Sequence, residues 1–196
     1  MSFSIAVPTS TVIARHPDDP YLVCVITHAK KHGKRKTLVG GRVELPAQTH
    51  EECIHTEFGQ EAGGKGATLT NVKLWAIKTD PYSDVRDSTL GKLTHGRCAA
   101  ELADVAVTGH YGAPDHIYVA DVVGEPFPLD GEATKCEFID VRDVTCTVTP
   151  ALSAYGAQQD LILIVYRMFL EGRQVQIDDF NDFHELRAML LKTTEL

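Results

Sequence analysis

The stretch Gly40–Gly64, GGRVELPAQTHEECIHTEFGQEAGG, carries the strongest structural signal in this chain. Thr49 is followed three residues later by Glu52, the capping-box pattern, which predicts that a helix begins at about His50. Gly63 suits the left-handed conformation that ends many helices. The stretch therefore predicts a loop, a helix of about three turns and a second loop.

One side of this predicted helix carries polar oxygen atoms. At the helical repeat Glu57, Gln60 and Glu61 fall within one sector, and Ile54 and Phe58 lie beside it as an apolar anchor. Oxygen ligands on one helix face suit a hard cation such as magnesium. Paired glutamates are also common on solvated helix faces, so an exposed acidic surface is the alternative. The geometry of the helix alone leaves both interpretations open.

Composition limits the classes of function. The chain has 196 residues, of which 43% are hydrophobic and 23% charged, and this predicts one well-buried domain. Its formal net charge of -8 argues against general nucleic-acid binding, which needs a basic surface. The five cysteines show no C-x-x-C pair and predict reduced thiols. No signal peptide or membrane span is recognisable, so we expect a soluble cytoplasmic protein.

The stretch resembles the Nudix box, G-x5-E-x7-R-E-U-x-E-E-x-G-U, in which U is an aliphatic residue. Gly41 and Gly63 match its two glycines, Glu57 matches the glutamate after the arginine, Phe58 the apolar position, and Glu61 the last glutamate. In that family the box forms a loop-helix-loop that binds magnesium and hydrolyses nucleoside diphosphates linked to another group. The resemblance therefore implies the same motif and chemistry here.

The match departs from the box at several positions. One extra residue, at about 45–47, lengthens the loop before the helix. Gln48 and Thr56 replace a glutamate and an arginine that pair in the family, and losing both charges together leaves no unpaired charge behind. The two polar side chains can still share a hydrogen bond. Gln60 replaces the first glutamate of the final pair, and its amide oxygen is a weaker magnesium ligand than a carboxylate. Gly64 replaces the closing aliphatic residue, which predicts the loss of a small apolar contact.

The resemblance also assigns roles to residues. The ligands that it implies for magnesium, or for manganese, are Glu57, Gln60 and Glu61. The candidates for the base that takes a proton from the attacking water are Glu57, Glu132, Asp84, Asp87 and Glu101. The candidates for contacts with substrate phosphates are Arg42 and Arg86.

Strand-like runs before and after the box follow the order of the Nudix family across about residues 5–170. They predict an α/β fold, an α/β/α sandwich with a mixed β-sheet, beginning with a hairpin on either side of PDDP. We assign 1–172 to the Nudix domain and 173–196 to a C-terminal extension. The extension holds a short amphipathic helix with Phe183, Leu186 and Leu190 on one face. That helix packs on its own domain or, alternatively, contacts a second copy in a homodimer.

The segment DPYSDVRD bears on the substrate. Pro81 in this segment resembles the proline of ADP-ribose and nucleotide-sugar pyrophosphatases, which implies a nucleotide-linked diphosphate as the small-molecule substrate. Tyr82 beside it resembles the tyrosine of dinucleoside polyphosphate hydrolases, and these compounds or nucleoside triphosphates are the alternative substrates. A different class of function also stays open, because Gln60 and Thr56 are consistent with a catalytically weak module that binds a nucleotide as a sensor or scaffold.

Overall fold

The computed structural model describes residues 9–28, 35–44, 46–78, 115–129, 131, 133–148, 152–156, 159–173 and 183–193. Within these residues the strands are β1 Thr9–His16, β2 Asp19–His28, β3 Lys36–Thr37, β4 Val39–Arg42, β5 Thr68–Lys78, β6 Asp115–Val123 and β7 Ala133–Asp140. The helices are α1 His50–Glu61, α2 Gln159–Leu170 and α3 Phe183–Thr193. Short 3-10 helices span Gly64–Gly66 and Val141–Asp143.

The described strands form one mixed sheet. Its main order is β3-β2-β1-β6-β5, while β4 pairs with β1 and β7 pairs with β2. Strands β1 and β6 run parallel, and the other pairs are antiparallel. The predicted hairpin is confirmed, because β1 and β2 are antiparallel neighbours joined across Pro17 and Asp18.

Each face of the sheet is covered by helix. Successive residues of a strand point to opposite faces, so Val12 packs with α1 on one side and Ile13 packs with α2 and α3 on the other. Ile54 and Phe58, the predicted anchor of α1, are buried in the first of these cores. The predicted α/β/α sandwich with a mixed sheet is confirmed.

The two C-terminal helices belong to the second core. The run LILIV, residues 161–165, lies within α2 and is buried throughout, which explains why its apolar pattern is continuous rather than periodic. Leu186 and Leu190 of α3 are buried in the same cluster. The amphipathic helix therefore packs on its own chain. Among the described helices, none combines the length and the apolar character needed to cross a membrane.

Candidate functional site

Helix α1 begins where the capping-box pattern predicts. The backbone N–H of Glu52 donates to Thr49 Oγ1 at 3.2 Å, and the Thr49 N–H donates to Glu52 Oε2 at 2.8 Å. Hydrogen bonds from Thr49 hold the pKa of the Glu52 carboxyl below its usual value. The helix spans His50–Glu61, in agreement with the predicted three turns. Its start and its rotation about the helix axis are thus fixed by the cap and by the buried anchor.

The carboxylate of Glu57 lies directly against Gly41 of β4. A Cβ atom built at Gly41 would come 2.0 Å from Glu57 Oε1 and 2.2 Å from its Cδ, so the space that a side chain would fill is taken by the carboxylate. Gly40 is equally confined, because a Cβ there would lie 2.4 Å from the carbonyl oxygen of Ser10. The glycine pair is therefore required by close approach between α1, β4 and β1.

Glu61 lies deeper than the sequence predicts. Its residue is only 4% exposed. Glu61 Oε2 accepts the Gly40 N–H at 3.4 Å, and Oε1 is 3.6 Å from His28 Nε2. The three polar residues therefore do not form one exposed face, which was one of the two interpretations left open by the helical repeat: Glu61 is buried, Glu57 is half-buried, and Gln60 is exposed. The reason is that the glycine pair leaves room for the two carboxylates between the helix and the sheet.

The glycines after α1 have a different role from the predicted one. Gly63 has φ of -82°, so it is not the left-handed cap that the sequence predicts, and Ala62 is the C-cap. A Cβ at Gly63 would lie 2.6 Å from the carbonyl oxygen of Gly59. Gly64 donates its N–H to the Phe127 carbonyl at 2.8 Å, and a Cβ at Gly64 would lie 2.6 Å from that oxygen. Close backbone contact, rather than an apolar contact, therefore holds the end of the helix to the segment that follows β6.

The loop before α1 is held by neutral hydrogen bonds. Gln48 Nε2 donates to Thr56 Oγ1 at 3.4 Å, which confirms the predicted pairing of these two residues. Gln48 Oε1 also accepts the Glu44 N–H at 3.2 Å. Gln48 thus connects the loop to the second turn of the helix without an ion pair.

The sequence itself has no match among protein-family models and no significant match among curated proteins. Solved structures do match. A Nudix hydrolase from Nitrosomonas europaea has a TM-score of 0.58 at 12% identity, covering 89% of this chain and 77% of its own. A protein assigned to the nudix hydrolase family of Chromobacterium violaceum has a TM-score of 0.53 at 15% identity, covering 99% of each chain. The Nudix domain of Shewanella oneidensis NrtR, complexed with ADP ribose, has a TM-score of 0.58 at 9% identity, covering 86% of this chain and 90% of its own.

The chain has the Nudix fold. At these identities the similarity establishes the fold alone. Helix α1 lies in the stretch whose sequence resembles the Nudix box, and we call it the Nudix helix.

Some of the predicted site residues are brought together on the Nudix helix. Glu57 and Glu61 both point toward β4, whereas Gln60 faces outward. Arg42 is exposed at the end of β4, and its carbonyl oxygen accepts from Cys53 Sγ at 3.4 Å. The predicted residues that lie outside the described part of the chain are Pro81, Tyr82, Asp84, Arg86, Asp87, Glu101 and Glu132.

Several residues of the site were not predicted. His28 is buried on β2 next to Glu61, although 33 positions separate the two in the chain, and no local pattern indicates this contact. Ser10 Oγ and His50 Nδ1 are 2.8 Å apart, and the ring of His50 lies 3.6 Å, centroid to centroid, from that of His116. Burial raises the pKa of the Cys53 thiol to about 11, with the charge of Glu57 adding to the effect.

The Nudix fold implies a divalent metal, and the carboxylate pair fits one. Among the described residues, no group of three or more His, Cys, Asp or Glu side chains is arranged to hold an ion. Magnesium, however, is usually held by one or two carboxylates together with waters and substrate phosphates. Glu57 and Glu61, one turn apart and confined by Gly41 and Gly40, provide that donor set.

Proposed function

We propose that this protein is a metal-dependent Nudix hydrolase that cleaves the diphosphate of a nucleoside diphosphate linked to another group, such as ADP-ribose or a nucleotide sugar. The observation that carries the proposal is the placement of Glu57 and Glu61 on the inner side of α1, against the backbone of Gly40 and Gly41. The Shewanella oneidensis domain of the same fold is complexed with ADP ribose, which supports a ligand of this class.

Glu57 and Glu61 would hold the magnesium or manganese ion, whereas Gln60, the third ligand that the resemblance implies, faces outward from α1. When bound, the ion supplies positive charge at the diphosphate oxygens. The N–H of Gly40 fixes one oxygen of Glu61, and His28 lies beside the other, so this carboxylate is held in one orientation. Arg42, at the exposed end of β4, and Arg86 are the proposed contacts for substrate phosphates.

In the reaction the oxygen of a water molecule bonds to one phosphorus, and the bond from that phosphorus to the bridging oxygen breaks. A carboxylate takes the proton of the water, and we propose Glu57 or Glu132 for this role. The bridging oxygen leaves on the other phosphate, so the products are two monophosphates. Glu57 is half-buried between the helix and Gly41, where its orientation is restrained before a substrate binds.

The alternative is a nucleotide-binding module with weak or no catalysis. It is favoured by the exposed amide of Gln60, at the place where the family carries a carboxylate. Nucleoside triphosphates and dinucleoside polyphosphates are the alternative substrates. A single screen distinguishes these possibilities.

The screen incubates the purified protein with ADP-ribose, UDP-glucose, diadenosine polyphosphates and nucleoside triphosphates, with and without magnesium, and measures the products by chromatography. We expect magnesium-dependent release of monophosphates from the first two compounds. Glu61→Gln should lower the rate at least about 100-fold, because it removes a carboxylate from the metal. It should leave the melting temperature nearly unchanged, because an amide oxygen still accepts the Gly40 N–H.

The matched control is Glu51→Gln, an identical change at an exposed position in the first turn of the same helix. It should retain full activity. Normal turnover by a folded Glu61→Gln variant would contradict the metal site. Binding of ADP-ribose without hydrolysis of any compound would support the sensor instead.

A further inference from the structure

A cavity lies on the α2 face of the sheet, opposite helix α1. Its volume is about 520 Å³, within the range of small-molecule sites. Strands β1, β5 and β6 and helix α2 form its walls, and the residues that line it include Arg15, Lys73, Trp75, Asp121, Tyr166 and Phe169. Trp75 and Tyr166 pack with the core beneath α2, whereas Glu57 and Glu61 belong to α1 on the other face.

One end of this cavity is polar and carries an excess of positive charge. Arg15 Nε donates to Asp121 Oδ1 at 2.5 Å, and Asn71 Nδ2 donates to Asp121 Oδ2 at 2.7 Å. Burial raises the pKa of Asp121, but hydrogen bonds from Arg15 and Asn71 outweigh burial and hold it below its usual value. Both oxygens of the carboxylate are thus occupied. Arg15, with its side chain 33% exposed, and the exposed Lys73 leave a net positive charge at this end.

The other end of the cavity is aromatic. The ring of Trp75 meets that of Tyr166 edge-on, at 5.7 Å and 86°, and lies 5.9 Å from that of Phe169. Phe169 is 53% exposed. A register shift in β5 between Leu74 and Ala76 makes Trp75 the extra residue of a bulge, which is a common way to re-aim a side chain. Trp75 is therefore half-buried, and its indole forms one wall of the cavity.

We propose that this cavity binds a small planar aromatic anion of the nucleoside monophosphate class, with the ring against Trp75 and Phe169 and the anionic group at Lys73 and Arg15. Aromatic side chains bind nucleobases by stacking whatever the base sequence, and the lysine and arginine provide the complementary charge. Arg15 offsets the charge of Asp121 and Asn71 occupies its second oxygen, so the uncompensated positive charge at this end is that of Lys73. The site is separate from the carboxylate pair on α1, and the proposal does not depend on hydrolysis.

The test uses the chain's own fluorophore, because Trp75 is its single tryptophan. We titrate the full-length protein with adenosine 5′-monophosphate in the absence of divalent metal and follow the indole emission. We expect saturable quenching. Adenosine, which lacks the anion, and inorganic phosphate, which lacks the ring, should each bind at least about tenfold more weakly.

Two exposed lysines provide a matched pair of variants. Lys73→Glu should weaken the quenching by AMP at least about tenfold. Lys135→Glu makes the same change of charge on β7, where the side chain is 62% exposed and outside this cavity, and should leave the affinity unchanged. Glu61→Gln, which should lower hydrolysis, should also leave the affinity for AMP unchanged. The hydrolase proposal and the proposal of this cavity can therefore fail independently.

The absence of saturable quenching would overturn the site. Equal weakening by Lys73→Glu and Lys135→Glu would overturn it as well, because the effect would then reflect the overall charge. Equal affinity for adenosine and AMP would overturn the assignment of the anion to Lys73 and Arg15.

Discussion

Two glycines of β4, Gly40 and Gly41, determine where the carboxylates of α1 can lie. Strand β4 pairs with β1, so the carbonyl oxygen of Ser10 leaves no room for a side chain at Gly40. On the helix side, the carboxylate of Glu57 packs directly against Gly41. A methyl group at either position would occupy space that a backbone oxygen or a carboxylate already fills. The position of the acidic groups therefore depends on residues that carry no functional group.

Gly41→Ala should displace Glu57, because the new Cβ would start 2.0 Å from Oε1. We expect hydrolysis to fall by about 100-fold, the order of loss that a misplacement of about 1 Å can cause. The measurement is the steady-state rate on the substrate found in the screen, together with a melting curve.

Gly59→Ala is the control for this change, because a Cβ at Gly59 in α1 meets nothing within 4 Å. It should keep full activity and raise the free energy of unfolding by about 0.5–1 kcal/mol, since alanine is the better helix former. Full activity in Gly41→Ala would show that Glu57 is not required in its present position.

At the scale of elements, a pair of histidines joins the start of α1 to β6. His50 is held by Ser10 of β1 and stacks on His116. Burial lowers the pKa of His116, the nearby His50 lowers it further, and Asp115 opposes the shift.

This junction predicts a pH dependence of stability. The pKa of His116 is lower in the folded than in the unfolded protein, so the unfolded chain binds the proton first as the pH falls. The contribution of His116 to the free energy of unfolding is complete above its pKa in the unfolded chain, about 6.5. It is lost as the pH falls through its pKa in the folded protein. His116→Phe should keep the ring contact and flatten the dependence of the free energy of unfolding between about pH 7 and pH 5.

His55→Phe is the control, because it makes the same change at an exposed position of α1. Denaturant unfolding at several pH values measures both variants. A His116→Phe protein with the same pH dependence as the wild type would contradict the contribution of this pair.

At the scale of the whole molecule, a buried ion pair attaches α3 to the rest of the fold. Asp160, which is fully buried at the start of α2, accepts two hydrogen bonds of 3.0 Å from Arg187. Arg187 Nη1 also donates to the Thr147 carbonyl at 2.7 Å. Helix α3 is therefore attached by the ion pair between Arg187 and Asp160 as well as by the apolar packing of Leu186 and Leu190.

Arg187→Ala should reduce the free energy of unfolding by about 3–5 kcal/mol, because it leaves the carboxylate of Asp160 buried without its partner. Arg173→Ala is the control: that side chain is 64% exposed and pairs with Glu171 at the surface, so its loss should cost about 1 kcal/mol or less. Urea unfolding measures both. Equal stability of the two variants would show that the buried pair does not hold α3 in place.

The sequence by itself determined the features that depend on residues close together in the chain. The capping box set the start of α1, because Thr49 and Glu52 are three residues apart and bond each other directly. Ile54 and Phe58 predicted the buried side of the helix through its repeat. The resemblance to the Nudix box paired Gln48 with Thr56, and these two side chains share a hydrogen bond. Strand-like runs also predicted the five longer strands of the mixed sheet, β1, β2, β5, β6 and β7.

Only the tertiary structure decided how deep the acidic residues lie. The burial of Glu61 depends on how closely β4 approaches α1, and its neighbour His28 arrives from a different strand. The contact of Gly64 with Phe127 and the pairing of Asp160 with Arg187 likewise join segments far apart in the chain. A helical repeat places a side chain in a sector but does not specify what packs against that sector, because strand register and interelement distance set the packing.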